Sequence, residues 1–257
     1  MAKTKIEWAQ RVWNPITGCT KISDGCRNCY AERMAKRLAG RCGYPKDDPF
    51  RVTFHPERMN EPLLRKKPTR YFVCSMGDLF HDEVPDEFIV SAYQVMLRCP
   101  QHLFIVLTKR PERIHNFVSE PLPNVIHGTT VESQEFADKR IPELLKVPGL
   151  HMVSVEPMLG PVDMRGKLCH YTNPDGTGSW FAAVPGKVRK RLIDLVICGC
   201  ESGPGRRPMA TEWAIDLRNQ CKGAGAAFFM KQMELNGKVS HNINDFPTEL
   251  RVREWIG

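Results

Sequence analysis

Three cysteines fall within eleven residues, in the stretch Gly18-Cys19-Thr20-Lys21-Ile22-Ser23-Asp24-Gly25-Cys26-Arg27-Asn28-Cys29-Tyr30. Their spacing is C-x6-C-x2-C. Thiolates are soft ligands for iron, and three on one loop can bind three irons of a cubane 4Fe–4S cluster. The fourth iron is then open to a small ligand, and catalysis needs such an open position. Gly18 and Gly25 permit the tight backbone approach that a ligand loop requires. A helix over Tyr30 to Leu38 follows, and its N-terminus favours the negative charge of thiolates. Two other readings of the loop stand beside this one. A zinc ion would take a fourth ligand from Cys42 or His55. Alternatively, the cysteines are reduced and serve packing alone.

Ten cysteines occur in all, and Met1 to Trp8 lack the apolar core of a secretory signal. A disulfide scaffold is therefore the weaker reading, and a cytoplasmic protein is expected. No run of 18 apolar residues is present, so no membrane span is expected. The formal charge of +8 suits a polyanionic partner such as DNA or RNA, and suits a solubilising surface equally.

The elements that must position the loop are legible as an alternation. Apolar runs rich in β-branched and aromatic residues stand at Tyr71 to Met76, Leu103 to Thr108, Asn124 to Val131, His151 to Val155, Leu192 to Cys198 and Ala226 to Lys231. Helical patterns lie between them, at Asp86 to Leu97, Phe136 to Leu145 and Thr211 to Gly223. Apolar strands interleaved with helices imply an α/β fold whose parallel strands are covered on both faces. Polar residues follow nearly every strand, as they do in barrel enzymes. The expectation is one domain over residues 1–257, a partial or complete (β/α) TIM-type barrel, interrupted by an insertion at about 163–191 that carries Trp180, Phe181 and the basic run Lys187 to Arg191.

Several strand-end residues could carry chemistry. Glu156 closes an apolar strand, Glu201 lies in the glycine-rich loop Gly199 to Arg207, and Lys231 ends the last strand; these are the candidate catalytic groups. The competing readings are a structural partner for Glu156, a polar wall for Glu201 and a snorkelling lysine for Lys231. Lys109, Arg110, Arg206 and Arg207 would gather at a barrel mouth and suit a nucleic-acid backbone, with a solvated charged face as the alternative.

The three-cysteine loop, with Tyr30 beside its last cysteine, resembles the radical S-adenosylmethionine superfamily, in which the usual spacing is C-x3-C-x2-C. Segments along almost the whole chain are similar to a phage-associated group of radical-SAM-like proteins: Trp13 to Cys19, Ser75 to Phe80, Leu107 to Pro111, Ser154 to Gly160, Gly199 to Gly205 and Phe228 to Gln232. The resemblance implies a 4Fe–4S cluster on Cys19, Cys26 and Cys29, bound S-adenosylmethionine, a 5′-deoxyadenosyl radical and an external electron donor such as flavodoxin. It further implies that Ser75, Gly77 and Asp78 receive the methionine end of the cofactor, and that Thr129, Thr130, Glu132 and Ser133 meet its nucleoside or carboxylate. Plain turn or capping roles for Asp78, Thr130 and Ser133 compete with that assignment. The implied substrate is a modified base in phage DNA, handled in the host cytoplasm; its sharpest form is a glycyl-thymidine adduct rearranged from nitrogen to carbon attachment. RNA, a nucleotide or a peptide is the alternative substrate, and a zinc-stapled DNA-binding protein the alternative class.

Overall fold

The computed structural model describes residues 4, 6–175, 177 and 188–256. The chain divides into two compact units, Met1–Thr129 with Lys146–Leu150, and Thr130–Leu145 with His151–Gly257.

In the first unit, β1 (Arg11–Trp13), β2 (Arg70–Val73), β3 (Leu103–Thr108) and β4 (Val125–Thr130) pair in that order, and every pair is parallel. The register aligns Trp13 with Val73, Val73 with Val106, and Val106 with His127. Parallel strands covered on both faces must be apolar throughout, which is why Phe104, Ile105 and Val106 are all buried in succession. Tyr71 stacks on Phe104, and Trp13 meets the same ring edge-on at 5.8 Å. Helix α1 (Tyr30–Arg37) follows the cysteine loop, and α2 (Asp86–Leu97) follows β2. Asp86 and Glu87 in the first turn of α2 complement its dipole. Of its buried residues, Ile89, Ala92, Tyr93 and Met96 follow one helical stripe, and Val95 lies beside it.

The second unit begins with α3 (Gln134–Leu144), after which β5 (Leu150–Val155) pairs with β8 (Leu195–Gly199), and β8 with β9 (Ala227–Leu235), all parallel. Helix α4 (Thr211–Ala224) connects the last two and stops at Gly225, whose φ of 70° is the left-handed conformation that closes helices. Strand β10 (Lys238–Ser240) returns antiparallel to β9 through the two-residue turn Asn236-Gly237, both with positive φ.

The fold is therefore mixed α/β with largely parallel strands flanked by helices. Spatial order follows chain order inside each unit; neither shows the reversal of a doubly wound sheet. Three local features differ from expectation. Strand β2 stops at Val73 rather than Met76, because Cys74 takes a φ of 54° and donates its N–H to the Trp13 carbonyl. Flanks of the expected insertion form an antiparallel ribbon, β6 (Cys169–Thr172) against β7 (Val188–Arg191). Trp180, Phe181 and Lys187 lie outside the described residues. Strand β10 was not anticipated. Among the described residues no helix is long and apolar enough to cross a membrane.

Trp13 is fully buried, and its indole N–H donates to the Arg58 carbonyl at 2.9 Å. Replacement by alanine removes both the ring and the hydrogen bond. Trp13→Ala is expected to lower the unfolding free energy by about 3–5 kcal/mol, read as a lower urea midpoint at unchanged slope. A loss below about 1 kcal/mol, the scale of an ordinary substitution, would contradict this packing.

Candidate functional site

The cysteine loop is seated on the C-terminal ends of β1 and β2 by a backbone contact that only glycine allows. Gly18 and Gly77 form a parallel bridge, and Gly18 N–H donates to the Met76 carbonyl at 2.9 Å. A Cβ on Gly18 would stand 2.0 Å from the Arg51 carbonyl oxygen, and the φ of +89° is itself disfavoured for other residues. Beside this contact, Asn14 Oδ1 accepts from Ser75 Oγ and from Met76 N–H, each at 3.2 Å. The expected cofactor residues Ser75 and Gly77 thus tie the loop to the strand ends.

From Gly18 the chain runs to Cys19, whose N–H donates to Phe50 O, then through a 3-10 turn, Asp24–Cys26, to Cys29 at the N-cap of α1. All three cysteines are half-buried and none is in a disulfide. Two of them meet cations from the end of β3. Arg110 Nη1 lies 3.8 Å from Cys19 Sγ, and Lys109 Nζ lies 3.5 Å from Cys26 Sγ and 3.1 Å from Ser23 Oγ. These are residues that sequence reasoning assigned to nucleic acid. Arg110 is only 3% exposed, so the structure gives it an internal role.

Asp78 organises this corner. Its Oδ1 accepts from Thr108 Oγ1 at 2.7 Å and from Phe80 N–H at 2.9 Å; its Oδ2 accepts from Lys109 N–H at 3.3 Å and faces Arg110 Nη1 at 3.5 Å. Arg110 Nη2 then donates to Thr20 Oγ1 at 2.9 Å, and the same oxygen lies 2.8 Å from His81 Nε2. His81 Nδ1 accepts from Glu83 N–H at 3.1 Å. One neutral tautomer, with the proton on Nε2, satisfies both contacts. Burial and then Arg110 push the His81 pKa down, in keeping with that neutral form.

The two cation-linked thiols differ electrostatically. Burial, and then the Asp78 charge, push Cys19 up to about 12 despite Arg110. Burial also opposes ionisation of Cys26, but the Lys109 ammonium, the Ser23 hydroxyl and nearby backbone groups outweigh it, so its pKa falls. A crevice of about 290 Å³ opens beside the loop, lined by Cys19, Thr20, Lys21, Asp48, Arg51 and Glu83 among others. That volume is at the small end for organic ligands. Among the described residues, no three His, Cys, Asp or Glu side chains converge as a cage for a single metal ion.

The other candidates are held in pairs. Thr129 Oγ1 donates to the Thr108 carbonyl within the first unit. In the second unit, Glu132 is fully buried and accepts from Arg140 at 2.8 Å, while Arg140 also caps the Thr130 carbonyl at 2.7 Å. The Ser133 carbonyl opens α3 by accepting from Ala137 N–H. Glu156 pairs with Lys231 at 2.8 Å and accepts from Ser154 Oγ; a Cβ on Gly199 would stand 2.7 Å from its Oε1, so glycine makes room for this carboxylate. Glu201 Oε2 accepts from Arg207 N–H at 2.8 Å and from Nε at 3.0 Å. Arg206 pairs with Glu234 at 3.0 Å. Sequence reasoning missed Thr20, Ser23, His81 and Thr108. The available signal was Thr108-Lys109-Arg110 ending the strand next to the one that carries Asp78.

Gly18→Ala is expected to cost at least about 1 kcal/mol, because alanine is incompatible with the native φ and strikes a backbone oxygen. Chemical denaturation of the metal-free protein checks this; stability equal to the parent would contradict the close approach. No curated protein and no solved structure matches the chain. Residues 3–249 match the family model described as Protein of unknown function (DUF5131), and the chain belongs to that family.

Proposed function

We propose that this chain is a radical S-adenosylmethionine enzyme, in which Cys19, Cys26 and Cys29 would hold a 4Fe–4S cluster. The observation that carries the reading is the donor set: three half-buried, unbridged cysteines on one loop, two of them facing buried or half-buried cations. The fit to a cluster is chemical. A cubane with three thiolate ligands is anionic, and Lys109 and Arg110 offset that charge. Its ligands each serve a different iron, so they need not converge on one point as zinc ligands do. Spatial order that follows chain order within each unit supports a partial or complete (β/α) barrel as the finer description of the fold.

When bound, such a cluster would supply one-electron reduction of S-adenosylmethionine, with the electron drawn from a donor such as flavodoxin, and so the carbon–sulfur cleavage that precedes hydrogen abstraction from the substrate. The chain's own residues do the rest. Gly18 and Gly77 fix the loop's height above the strand ends. Asp78 holds Arg110 and the Lys109 backbone, which keeps both cations on the cysteine sulfurs. Thr20 and Lys21 line the crevice beside Cys19, where small polar groups of a ligand would be received. In the second unit, Glu156 and Lys231 form the candidate acid–base pair, since a carboxylate and an ammonium in contact can pass a proton between them. Glu201, held by Arg207, is the less accessible candidate at 5% exposure.

A modified base in DNA, carrying for instance a glycyl-thymidine adduct, is the substrate we favour, within the cytoplasm of a phage host. Its support is the net charge of +8 and the resemblance to phage-associated radical-SAM-like proteins. RNA, a nucleotide or a peptide is the second reading; the ion pairs that engage Arg206 and Arg207 leave these cations less available to a polyanion and so favour its nucleotide and peptide forms.

The test is anaerobic. Reconstituted protein with dithionite and S-adenosylmethionine is expected to release 5′-deoxyadenosine and methionine, and Cys19→Ala, Cys26→Ala and Cys29→Ala are each expected to fall to background. Modified duplex DNA is expected to stimulate the release above nucleotide or peptide. No product from the iron-loaded parent, or full activity in a cysteine variant, would overturn the radical reading.

A further inference from the structure

The two cations beside the cysteines differ in what holds them. Arg110 is buried and shared among Asp78 Oδ2, Asp82 Oδ2, Thr20 Oγ1 and Cys19 Sγ, so acidic partners offset much of its charge. Lys109 reaches across from the end of β3 to the 3-10 turn of the loop. Its Nζ donates to Ser23 Oγ at 3.1 Å and to Cys26 Sγ at 3.5 Å, while Ser23 Oγ lies 3.5 Å from the same sulfur. The backbone sets this reach: Lys109 N–H is pinned to Asp78 Oδ2, so the side chain leaves from a fixed point.

A charged donor on a ligating sulfur acts on electron affinity. Reduction adds a negative charge to the cluster, and an ammonium hydrogen-bonded to one thiolate stabilises the reduced form more than the oxidised form. We propose that Lys109 is a positioning residue that raises the reduction potential of the cluster through its contact with Cys26. This rests on the cluster reading above and deepens it by assigning the side chain that sets how readily the site accepts its electron. Coulomb attraction requires the charge, so arginine at this position should serve and a neutral isostere should not.

The experiment compares the reconstituted parent with Lys109→Met and Lys109→Arg by iron content and by potentiometric titration followed with electron paramagnetic resonance. At the potential where the parent is half reduced, Lys109→Met is expected to show a reduced-to-oxidised ratio about tenfold lower, which for one electron is about 59 mV. Lys109→Arg is expected to stay near the parent. Should Lys109→Met load too little iron to titrate, Lys109→Gln is read in its place, with the same tenfold change expected and a parent-like midpoint overturning the assignment. Equal midpoints in fully loaded parent and Lys109→Met would overturn it and leave the cluster reading standing. Loss of iron in both Lys109→Met and Lys109→Arg would overturn it too, because the charge would then not be the determinant. An iron-free parent would overturn the cluster reading itself.

Discussion

A single buried carboxylate organises the corner of the structure on which the functional reading depends. Asp78 is 5% exposed, and a charge so placed is costly unless it is well supplied with donors. It receives the Thr108 hydroxyl, the Phe80 and Lys109 amides and the Arg110 guanidinium. Those donors come from the ends of two neighbouring parallel strands, so the carboxylate fastens one strand end to the next. The same contacts aim Arg110 at Cys19 and Lys109 at Cys26. Burial alone would make this loop a poor home for thiolates; the cations answer that cost, more completely at Cys26 than at Cys19.

The sequence made some of this legible and hid the rest, for physical reasons. Helix α2 was legible to the residue because Pro85, the acidic first turn and the stripe of apolar residues agree. Strand β3 was equally plain as a continuous apolar run. The end of β2 was not, because the turn at Cys74 depends on a positive φ that no residue type there advertises. The ribbon β6–β7 was hidden by its polar, charged flanks, which read as a loop. Strand β10 could have been inferred from Asn236-Gly237, a strong hairpin signal. Cysteine spacing singled out the loop as the candidate site, since packing does not call for three thiols within eleven residues of one loop. The side chains around it were harder. Lys109 and Arg110 look like any basic pair at a strand end, and only the fold shows that they turn inward to sulfur.

The second unit carries a related lesson about charge. Glu132 with Arg140, Glu156 with Lys231, Glu201 with Arg207 and Arg206 with Glu234 all pair internally. A surplus of basic residues therefore does not translate into a basic surface of equal strength, because several strand-end cations are engaged by neighbouring carboxylates. Such pairs favour fixed side-chain geometry over affinity for polyanions, and breaking one by removing a partner leaves an uncompensated charge. Glu156 and Lys231 both retain some exposure, at 14% and 21% of their side chains, as Arg206 and Glu234 also do, and so could meet a ligand without unfolding.

Everything proposed for the cysteine loop depends on its holding an iron–sulfur cluster with one open iron. Anaerobic iron and sulfide analysis, joined to electron paramagnetic resonance of the reduced protein with and without S-adenosylmethionine, tests it most directly. Roughly four irons per chain and a spectrum that changes when the cofactor is added are expected. One zinc per chain and no iron, or an iron signal indifferent to the cofactor, would contradict it.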